Sequence, residues 1–299
     1  MKIVRSPLFY MGDKYKLIGQ IKQYFPRDIN RFIEPFIGGG SVFLNIKANE
    51  YYLNDINSEL YQIHNLLLKY SKSPETFFKK IEEYISYYKL SHSYLKDIVP
   101  KELKIEYKKT YYSKFNNKGY NELKKDYNNS NPKDYLILYL LIIYGFNRII
   151  RFNSKGEFNV PTGNVDFNKN VKTALDNYFN ITKDKSITLF NLDYIEFINS
   201  ITLKKDDFIY FDPPYLISLS EYNKLWSESE QIRFLKFLDE LNSKKIKFAV
   251  SNVIDFKGKT NTLFKEWSYK YKIIEIESNY ISFHNNRQKE IREVLVINY

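Results

Sequence analysis

Phe208-Ile209-Tyr210-Phe211-Asp212-Pro213-Pro214-Tyr215 is an apolar run that leads directly into a carboxylate, two prolines and an aromatic ring. This order predicts a strand that ends abruptly at the carboxyl edge of a sheet, where open α/β sheets hold their ligands. Each proline removes a backbone donor, so neighbouring carbonyl groups remain available as acceptors. Acceptors at Asp212 beside the ring of Tyr215 suit a flat ring that carries an NH2 group. A strand-end turn with a buried aromatic is an equally good interpretation of these residues alone.

A second segment, residues 31–55, predicts a nucleotide-binding unit. A short strand over residues 31–35 precedes Phe36-Ile37-Gly38-Gly39-Gly40-Ser41, and a helix is expected through residues 42–46. Glycines allow the backbone to approach a ligand, and a helix amino terminus offers unpaired N–H groups. The next strand ends at Asp55, a carboxylate placed to bind ribose hydroxyls. Phe43 stands where a dinucleotide fingerprint has its third glycine, so S-adenosylmethionine fits this unit better than a nicotinamide cofactor.

Residues 60–144 differ in character from the segments on either side. Apolar residues keep helical spacing over residues 61–68, 77–90 and 135–144, with polar Lys- and Asn-rich stretches between them around residues 113–131. This pattern predicts a helical insertion.

Residues 147–163 predict a β-hairpin, with two alternating strands around Asn153-Ser154-Lys155-Gly156. A two-stranded ribbon fits the major groove of DNA, and Asn147, Arg148 and Arg151 carry side chains that pair bidentately with base edges. A solvated hairpin with charged edges explains this segment equally well on its own.

Strand and helix alternation resumes after residue 165. Strands are expected at residues 186–190, 246–252, 271–276 and 291–297, with a helix over 227–241. The last two strands should form an antiparallel edge around residues 285–288. Asp193 and Tyr194 follow the first of these strands and form a second place where a carboxylate and an aromatic could flank an adenine. The chain as a whole is therefore of the α/β class.

Composition favours a polyanionic partner and excludes thiol chemistry. The net charge is +11, which indicates nucleic acid, although an AT-rich coding sequence also enriches lysine. The absence of cysteine removes disulfides, thiolate metal sites and a thiol nucleophile. His64, His92 and His284 lie far apart in sequence, so no metal is expected. No apolar run of membrane-spanning length occurs, so we expect no membrane association and a cytoplasmic location.

Four blocks in this order resemble the Dam-type DNA adenine-N6 methyltransferases, the alpha or D12 class, from about Leu8 to the carboxyl terminus. The blocks are Met11-Gly12-Asp13-Lys14, Glu34-Pro35-Phe36-Ile37-Gly38-Gly39-Gly40-Ser41, residues 151–161, and Asp212-Pro213-Pro214-Tyr215. The resemblance implies a Rossmann-like S-adenosylmethionine-dependent methyltransferase sheet with an inserted helical DNA-recognition domain that bears a β-hairpin. The implied catalytic domain comprises residues 1–58 and 166–299, and the implied recognition domain residues 59–165.

The resemblance also implies site residues. The catalytic residues are Asp212, Pro213, Pro214 and Tyr215. The expected cofactor-binding residues are Tyr10, Lys14, Phe36, Gly38, Gly40, Ser41, Asp55, Asp193, Tyr194 and Asp212. Asn147, Arg151 and Pro161 match positions used for DNA contact, and the same hairpin adds Arg148, Asn153 and Lys155. The chain departs from the family at Phe9, where some members have a base-contacting lysine, at Arg148, where glycine is usual, and at Asn164-Val165. The recognition sequence therefore stays open, and GATC is not implied.

The expected activity is methyl transfer from S-adenosylmethionine to the exocyclic N6 of a flipped adenine in double-stranded DNA, with S-adenosylhomocysteine as product and no metal. The enzyme would act as a monomer, either alone or in a restriction-modification system with an endonuclease that shares its site without stable binding. Cytosine C5 methylation requires the missing cysteine. Cytosine N4 methylation, whose motif more often begins with serine, RNA adenine methylation and an inactive DNA-binding regulator remain alternatives.

Overall fold

The computed structural model describes residues 3–217, 226–277 and 291–299, and this part of the chain holds ten α-helices and eight strands. The chain forms two compact units. The helical unit comprises Met1–Asp13, Gly38–Leu44 and Asn57–Asp184. The sheet unit comprises Lys14–Ile37, Asn45–Ile56 and Lys185–Tyr299.

The sheet unit is built on one mixed sheet whose strands run in the order β3-β2-β1-β4-β5-β8-β7, with β6 paired to β5. The pairs among β1 to β5 along this path are parallel, and β8 pairs antiparallel with both β5 and β7. The strands are β1 Arg31–Glu34, β2 Glu50–Asn54, β3 Ser186–Phe190, β4 Asp207–Phe211, β5 Lys247–Phe256, β6 Lys259–Thr260, β7 Lys272–Ile276 and β8 Ile291–Ile297. The α/β prediction and the antiparallel closing strands are confirmed; residues 285–288 and His284 lie outside the described residues.

The direction of strand addition reverses between β1 and β4. Strands β2 and β3 are added on one side of β1, whereas β4 and β5 are added on the other. Open α/β sheets bind ligands outside the carboxyl ends of strands at such a switch point. Every residue of both β1 and β4 is buried, as expected for central parallel strands covered on both faces.

A buried ion pair fixes the opposite, amino-terminal edge of these two strands. Arg31 of β1 donates through Nε to Asp207 Oδ1 of β4 at 2.9 Å, and its second nitrogen lies 2.5 Å from Oδ2. The two residues are also register partners. The bidentate geometry of the Arg31–Asp207 pair sets the register that brings the other ends of β1 and β4 side by side.

Within the described residues, the sheet unit also contains four α-helices: α1 Ile18–Ile21, α8 Tyr194–Asn199, α9 Glu228–Ser243 and α10 Thr262–Ser268.

The helical unit is organised around α6. Its helices are α2 Ser58–Tyr70, α3 Pro74–Tyr87, α4 Lys101–Glu106, α5 Tyr111–Asn129, α6 Tyr135–Tyr144 and α7 Lys169–Thr182. Residues 136–144 of α6 are all buried, and the helix contacts α2, α3 and α5. A helix that is apolar on every side belongs in the middle of a bundle. Asp134 caps its amino terminus by accepting from Leu136 and Ile137 N–H groups.

Helix α5 is not predicted from the sequence, because the polar Lys- and Asn-rich stretch around residues 113–131 favours a connection between helices. Its buried face consists of Asn116, Gly119, Tyr120, Leu123 and Tyr127, which keep helical spacing but include only one aliphatic residue. An apolar-periodicity argument does not count glycine and asparagine as core positions. The predicted helix at residues 42–46 was also wrong, since only a 3-10 turn forms there, over Phe43–Asn45.

The predicted β-hairpin at residues 147–163 is corrected to an irregular reversal. Antiparallel pairing is limited to isolated bridges between Gly145 and Thr162 and between Phe152 and Phe158. The physical reason is that the first arm is not extended throughout: Phe146–Arg148 form a 3-10 turn, and Asn147 and Arg148 have φ angles of 52° and 53°, which do not occur in a strand.

The helical unit overlaps the predicted insertion at residues 59–165, but it also includes α7 and residues 1–13 and 38–44. Its role in recognising DNA stays a prediction. In the described part of the chain, none of the helices combines the length and apolarity needed to cross a bilayer.

Gly119→Ala tests whether α5 packs as described. Helix propensity alone predicts a gain of up to about 1 kcal/mol. A Cβ at this position would lie 1.9 Å from the carbonyl oxygen of Tyr88, so we expect a loss of about 2 kcal/mol instead. Urea unfolding monitored by circular dichroism measures whether the free energy of unfolding rises or falls in the variant. Lys118→Ala, at an exposed position of the same helix, should stay within about 0.5 kcal/mol of the parent; a stabilised Gly119→Ala variant would contradict the packing.

Candidate active site

The carboxyl edge of the parallel strands collects four of the predicted site residues. Phe36 follows β1, Asp55 follows β2, Asp193 follows β3 and Asp212 follows β4. Because these strands are parallel neighbours, their ends meet at the same edge of the sheet. The sequence placed these residues at strand ends, and the topology brings them to one edge.

Asn54, which the sequence analysis passed over, joins the loops at this edge. Its Nδ2 donates to the carbonyl oxygens of Pro35 and Leu192, each at 3.0 Å, and its Oδ1 accepts from the N–H of Leu192 at 3.0 Å. Its backbone carbonyl accepts from Ile37 at 2.9 Å. The side chain is almost fully buried. One amide thus holds the segments that follow β1 and β3 against the end of β2, directly before Asp55.

Asp212 lies in a compact polar network within the sheet unit. Lys14 Nζ lies 2.8 Å from Asp212 Oδ2, and the hydroxyl of Tyr215 donates to Oδ1 at 2.9 Å. The same ammonium group lies 5.0 Å from the centre of the Tyr215 ring. Only 3% of the Lys14 side chain is exposed, so water screens these interactions weakly. Two predicted catalytic residues and one predicted cofactor residue are therefore brought together.

Glu293 of β8 is a further member of this network that sequence reasoning missed. Its Oε1 accepts from the Tyr215 hydroxyl at 3.3 Å and lies 3.9 Å from Lys14 Nζ. Within the described residues, its buried Oε2 has no hydrogen-bond partner. Burial raises the pKa of Glu293 and the charge of Asp212 raises it further, while Lys14 opposes both effects. The available signal was a lone carboxylate inside the apolar run at residues 291–297.

Asp193 and Tyr194 are held firmly in the sheet unit. Asp193 caps α8 by accepting from the N–H of Ile195 and forms a bidentate pair with Arg233, whose nitrogens lie 2.8 and 3.1 Å from its oxygens. Tyr194 is buried against Phe36 at 5.2 Å between ring centroids and donates its hydroxyl to Glu230 at 2.9 Å. Desolvation raises the pKa of Asp193, but its hydrogen bonds from Arg233 and α8 give a net lowering. Asp193 therefore presents an ionised carboxylate and its backbone groups at the end of β3. The ring of Tyr194, in contrast, is part of the hydrophobic core.

Ile56 is a second residue that sequence reasoning missed. It directly follows Asp55 and is 67% exposed, although it is a large aliphatic side chain at a strand end that carries site residues. An exposed apolar side chain beside a carboxylate suits a nucleoside, which has an apolar ring face and ribose hydroxyls.

The glycine turn lies in the helical unit and has a fixed shape. Gly38 and Gly40 have φ angles of 48° and 77°, which disfavour other residues. A Cβ on Gly40 would lie 2.6 Å from the Phe43 ring and 2.9 Å from His64. Burial lowers the pKa of His64 to about 4, so the neutral ring donates from Nε2 to the carbonyl of Gly38 at 2.9 Å. Tyr10 contributes to the same turn, since its ring lies 3.6 Å from the Cβ position of Gly38.

The predicted DNA-contact residues all lie in the helical unit, along residues 147–163. Asn153 orders the tip by accepting from the N–H groups of Lys155 and Glu157. Arg151 is held by Asn159, with its Nε 2.9 Å from the side-chain oxygen. Lys155 and Pro161 are exposed.

Ser41 of the glycine turn, a predicted cofactor-binding residue, is buried. Among the residues that the structure describes, no cluster of three acidic or histidine side chains could hold a metal.

Comparison with known proteins decides the family. The model of the D12 class N6 adenine-specific DNA methyltransferases matches residues 10–281. The chain belongs to this family. It is 36% identical to modification methylase StsI of Streptococcus sanguinis over its whole length and 35% identical to type II methyltransferase M.FokI of Planomicrobium okeanokoites over 99% of it. The chain spans 43% of the length of each of these two relatives. The DNA adenine methylase of Salmonella typhi is 25% identical, with 99% of this chain and 96% of that protein covered.

Glu293→Gln tests the burial of this carboxylate. A raised pKa in the folded state means that the contribution of Glu293 to stability is greatest below the usual glutamate range and falls as pH rises through its folded pKa. Glutamine stays neutral, so the free energy of unfolding of the variant relative to the parent should rise as pH increases above the usual glutamate range. Urea unfolding at several pH values measures this difference.

The matched control for this measurement is Glu275→Gln on neighbouring β7. Glu275 pairs with Arg292, and its side chain is 60% exposed, so little change with pH is expected. A Glu293→Gln variant whose stability relative to the parent falls as pH rises would contradict the assignment.

Proposed function

We propose that this D12-class protein transfers a methyl group from S-adenosylmethionine to the exocyclic N6 of an adenine in double-stranded DNA. The observation that carries the proposal is the placement of Asp212-Pro213-Pro214-Tyr215 directly after β4, at the switch point of the sheet. Family membership supports adenine as the methylated base.

The residues at the sheet edge fit the proposed cofactor. Asp55 supplies a carboxylate for the ribose hydroxyls, the exposed Ile56 supplies an apolar surface, and Asp193 supplies an acceptor for an amino group. The other cofactor-binding residues that we propose in the sheet unit are Lys14, Phe36, Tyr194 and Asp212. Those that we propose in the helical unit are Tyr10, Gly38, Gly40 and Ser41. When bound, S-adenosylmethionine supplies an electrophilic methyl group on a sulfonium.

Asp212 and the Pro213 carbonyl would accept hydrogen bonds from the two N–H groups of the adenine amine. Accepting both bonds favours a more tetrahedral nitrogen with its lone pair available for attack, and the ring of Tyr215 would stack on the base. The proton released from N6 leaves through Asp212. These side chains act by alignment and hydrogen bonding.

Lys14 must move when the base binds. Its ammonium group now lies beside both Asp212 and the Tyr215 ring, which are the two groups that the adenine requires. Glu293 Oε1, 3.9 Å away, provides a buried carboxylate that keeps the ammonium paired after such a move. We infer that Lys14 shifts towards Glu293 on binding, since a buried ammonium without a counter-charge is costly.

The base must leave the DNA stack to reach this network, at a cost of a few kcal/mol that protein contacts offset. We propose Asn147, Arg148, Arg151, Asn153, Lys155 and Pro161 as the DNA-contacting residues. The net charge of +11 favours association with the phosphate backbone. The names of its relatives favour a modification enzyme that protects DNA from an endonuclease acting at the same site, and we propose that it functions as a monomer.

Asp212→Asn tests the proposed chemistry. The amide keeps the shape of the carboxylate but replaces one acceptor oxygen by a donor, so methyl transfer to duplex DNA should fall by about a hundredfold or more. Transfer of a labelled methyl group in a single turnover measures the rate, and Asp212→Ala should abolish it.

Asp206→Asn is the matched control, because Asp206 is exposed next to the opposite end of β4. It should retain the parental rate. Full activity of Asp212→Asn under conditions where the control is also active would remove Asp212 from the mechanism.

A further inference from the structure

We propose that Arg148, held in place by Phe9 and Arg5, contacts a guanine of the recognition sequence through the major groove. This inference rests on the proposed function and assigns part of its sequence specificity to one side chain. It concerns two of the positions at which the sequence departs from its family, Phe9 and Arg148.

The three side chains form a stack within the helical unit. The guanidinium carbon of Arg148 lies 3.9 Å from the centre of the Phe9 ring, and that of Arg5 lies 4.5 Å from the same centre. Phe9 is buried. A planar guanidinium that stacks on an aromatic ring loses little orientational freedom when it later forms hydrogen bonds. Contact with the ring therefore restricts the positions from which Arg148 can present its donors.

The guanidinium of Arg148 has no acceptor among the described residues. No side-chain hydrogen bond or ion pair joins it to the protein, and its backbone N–H alone is bonded, to Gly145 at 3.2 Å. Desolvation lowers the pKa of Arg148 to about 10, and the nearby charge of Arg5 contributes in the same direction. The side chain is thus charged at neutral pH and only partly solvated, with its donors unused. A partly buried cation without an acceptor is destabilising unless a partner supplies one.

Backbone strain accompanies this arrangement. Phe9, Asn147 and Arg148 have φ angles of 49°, 52° and 53°, in the left-handed region that large side chains rarely adopt. Such outliers concentrate where function requires a particular orientation. The close approach of Gly145 and Gly163 supports the turn, since a Cβ on Gly163 would lie 2.6 Å from the Gly145 carbonyl oxygen.

The chemistry of this side chain favours guanine. An arginine fork matches the O6 and N7 acceptors of guanine, which is the commonest specific contact in the major groove. Arg151 differs, because Asn159 already accepts from two of its nitrogens. Arg148 retains its complete fork and is the better candidate for reading a base, whereas a phosphate contact would not require a guanidinium held against a ring.

The experiment begins by mapping methylated sites in a methylation-free host that expresses the full chain, Arg148→Ala, Arg148→Lys or Arg27→Ala. Arg27 is exposed and serves as the control for loss of one positive charge. Rates are then measured on duplexes that carry the mapped site with guanine or with 7-deazaguanine, which lacks N7, at each guanine in turn.

We expect the parent and Arg27→Ala to share one motif that contains a guanine. Arg148→Ala and Arg148→Lys should accept other bases at the position of that guanine. On the intact site, their kcat/KM should fall roughly tenfold or more. Replacing this guanine by 7-deazaguanine should lower the rate of the parent by a similar factor. The rate of Arg148→Ala should be the same with guanine and with 7-deazaguanine at this position.

Two results would overturn the inference. An unchanged motif with a uniform loss in Arg148→Ala and rescue by Arg148→Lys would identify a phosphate contact. Equal sensitivity of parent and Arg148→Ala to 7-deazaguanine at every guanine would exclude a base contact. A parent that methylates no DNA in this host would instead contradict the proposed function, and the inference with it.

Discussion

One buried ammonium between two carboxylates is the interaction on which the site depends. Lys14 lies 2.8 Å from Asp212 and 3.9 Å from Glu293, and Tyr215 donates its hydroxyl to both acids. Two carboxylates this close would repel each other if no cation lay between them. The ammonium pairs with Asp212, and Glu293 gives it a second carboxylate partner. The same three groups thus combine opposite charges with two carboxylate partners for one ammonium.

The sheet places this network. Asp212 and Tyr215 follow β4, and β8 carries Glu293. The parallel strands β1 and β2 end at the same edge as β4 and are followed by Phe36 and Asp55. The reversal of strand order beside β1 opens that edge to a ligand. The Arg31–Asp207 pair at the far end of the same strands keeps them in register. The buried ion pair and the proposed active site therefore lie at opposite ends of the central strands.

The sequence was sufficient for the parts of the fold that follow from local patterns. Apolar runs ending in a carboxylate predicted the central strands, because burial on both faces makes such strands apolar throughout. Glu293 could not be predicted in this way, since its partners come from distant segments and only strand pairing brings them together. Helix α5 was missed because glycine and asparagine form part of its buried face. The hairpin was predicted too regular because the residue types do not indicate the left-handed backbone of Asn147 and Arg148, which interrupts the first arm.

The central claim is that this network presents an acceptor pair and a ring to the amine of adenine. Mass analysis of nucleosides from duplex DNA, treated with the pure protein and isotopically labelled S-adenosylmethionine, tests it most directly. The account predicts label in N6-methyladenine alone, in an amount that saturates when every recognition site is modified. Label in N4-methylcytosine, or the absence of labelled nucleoside from DNA while RNA is labelled, would contradict it.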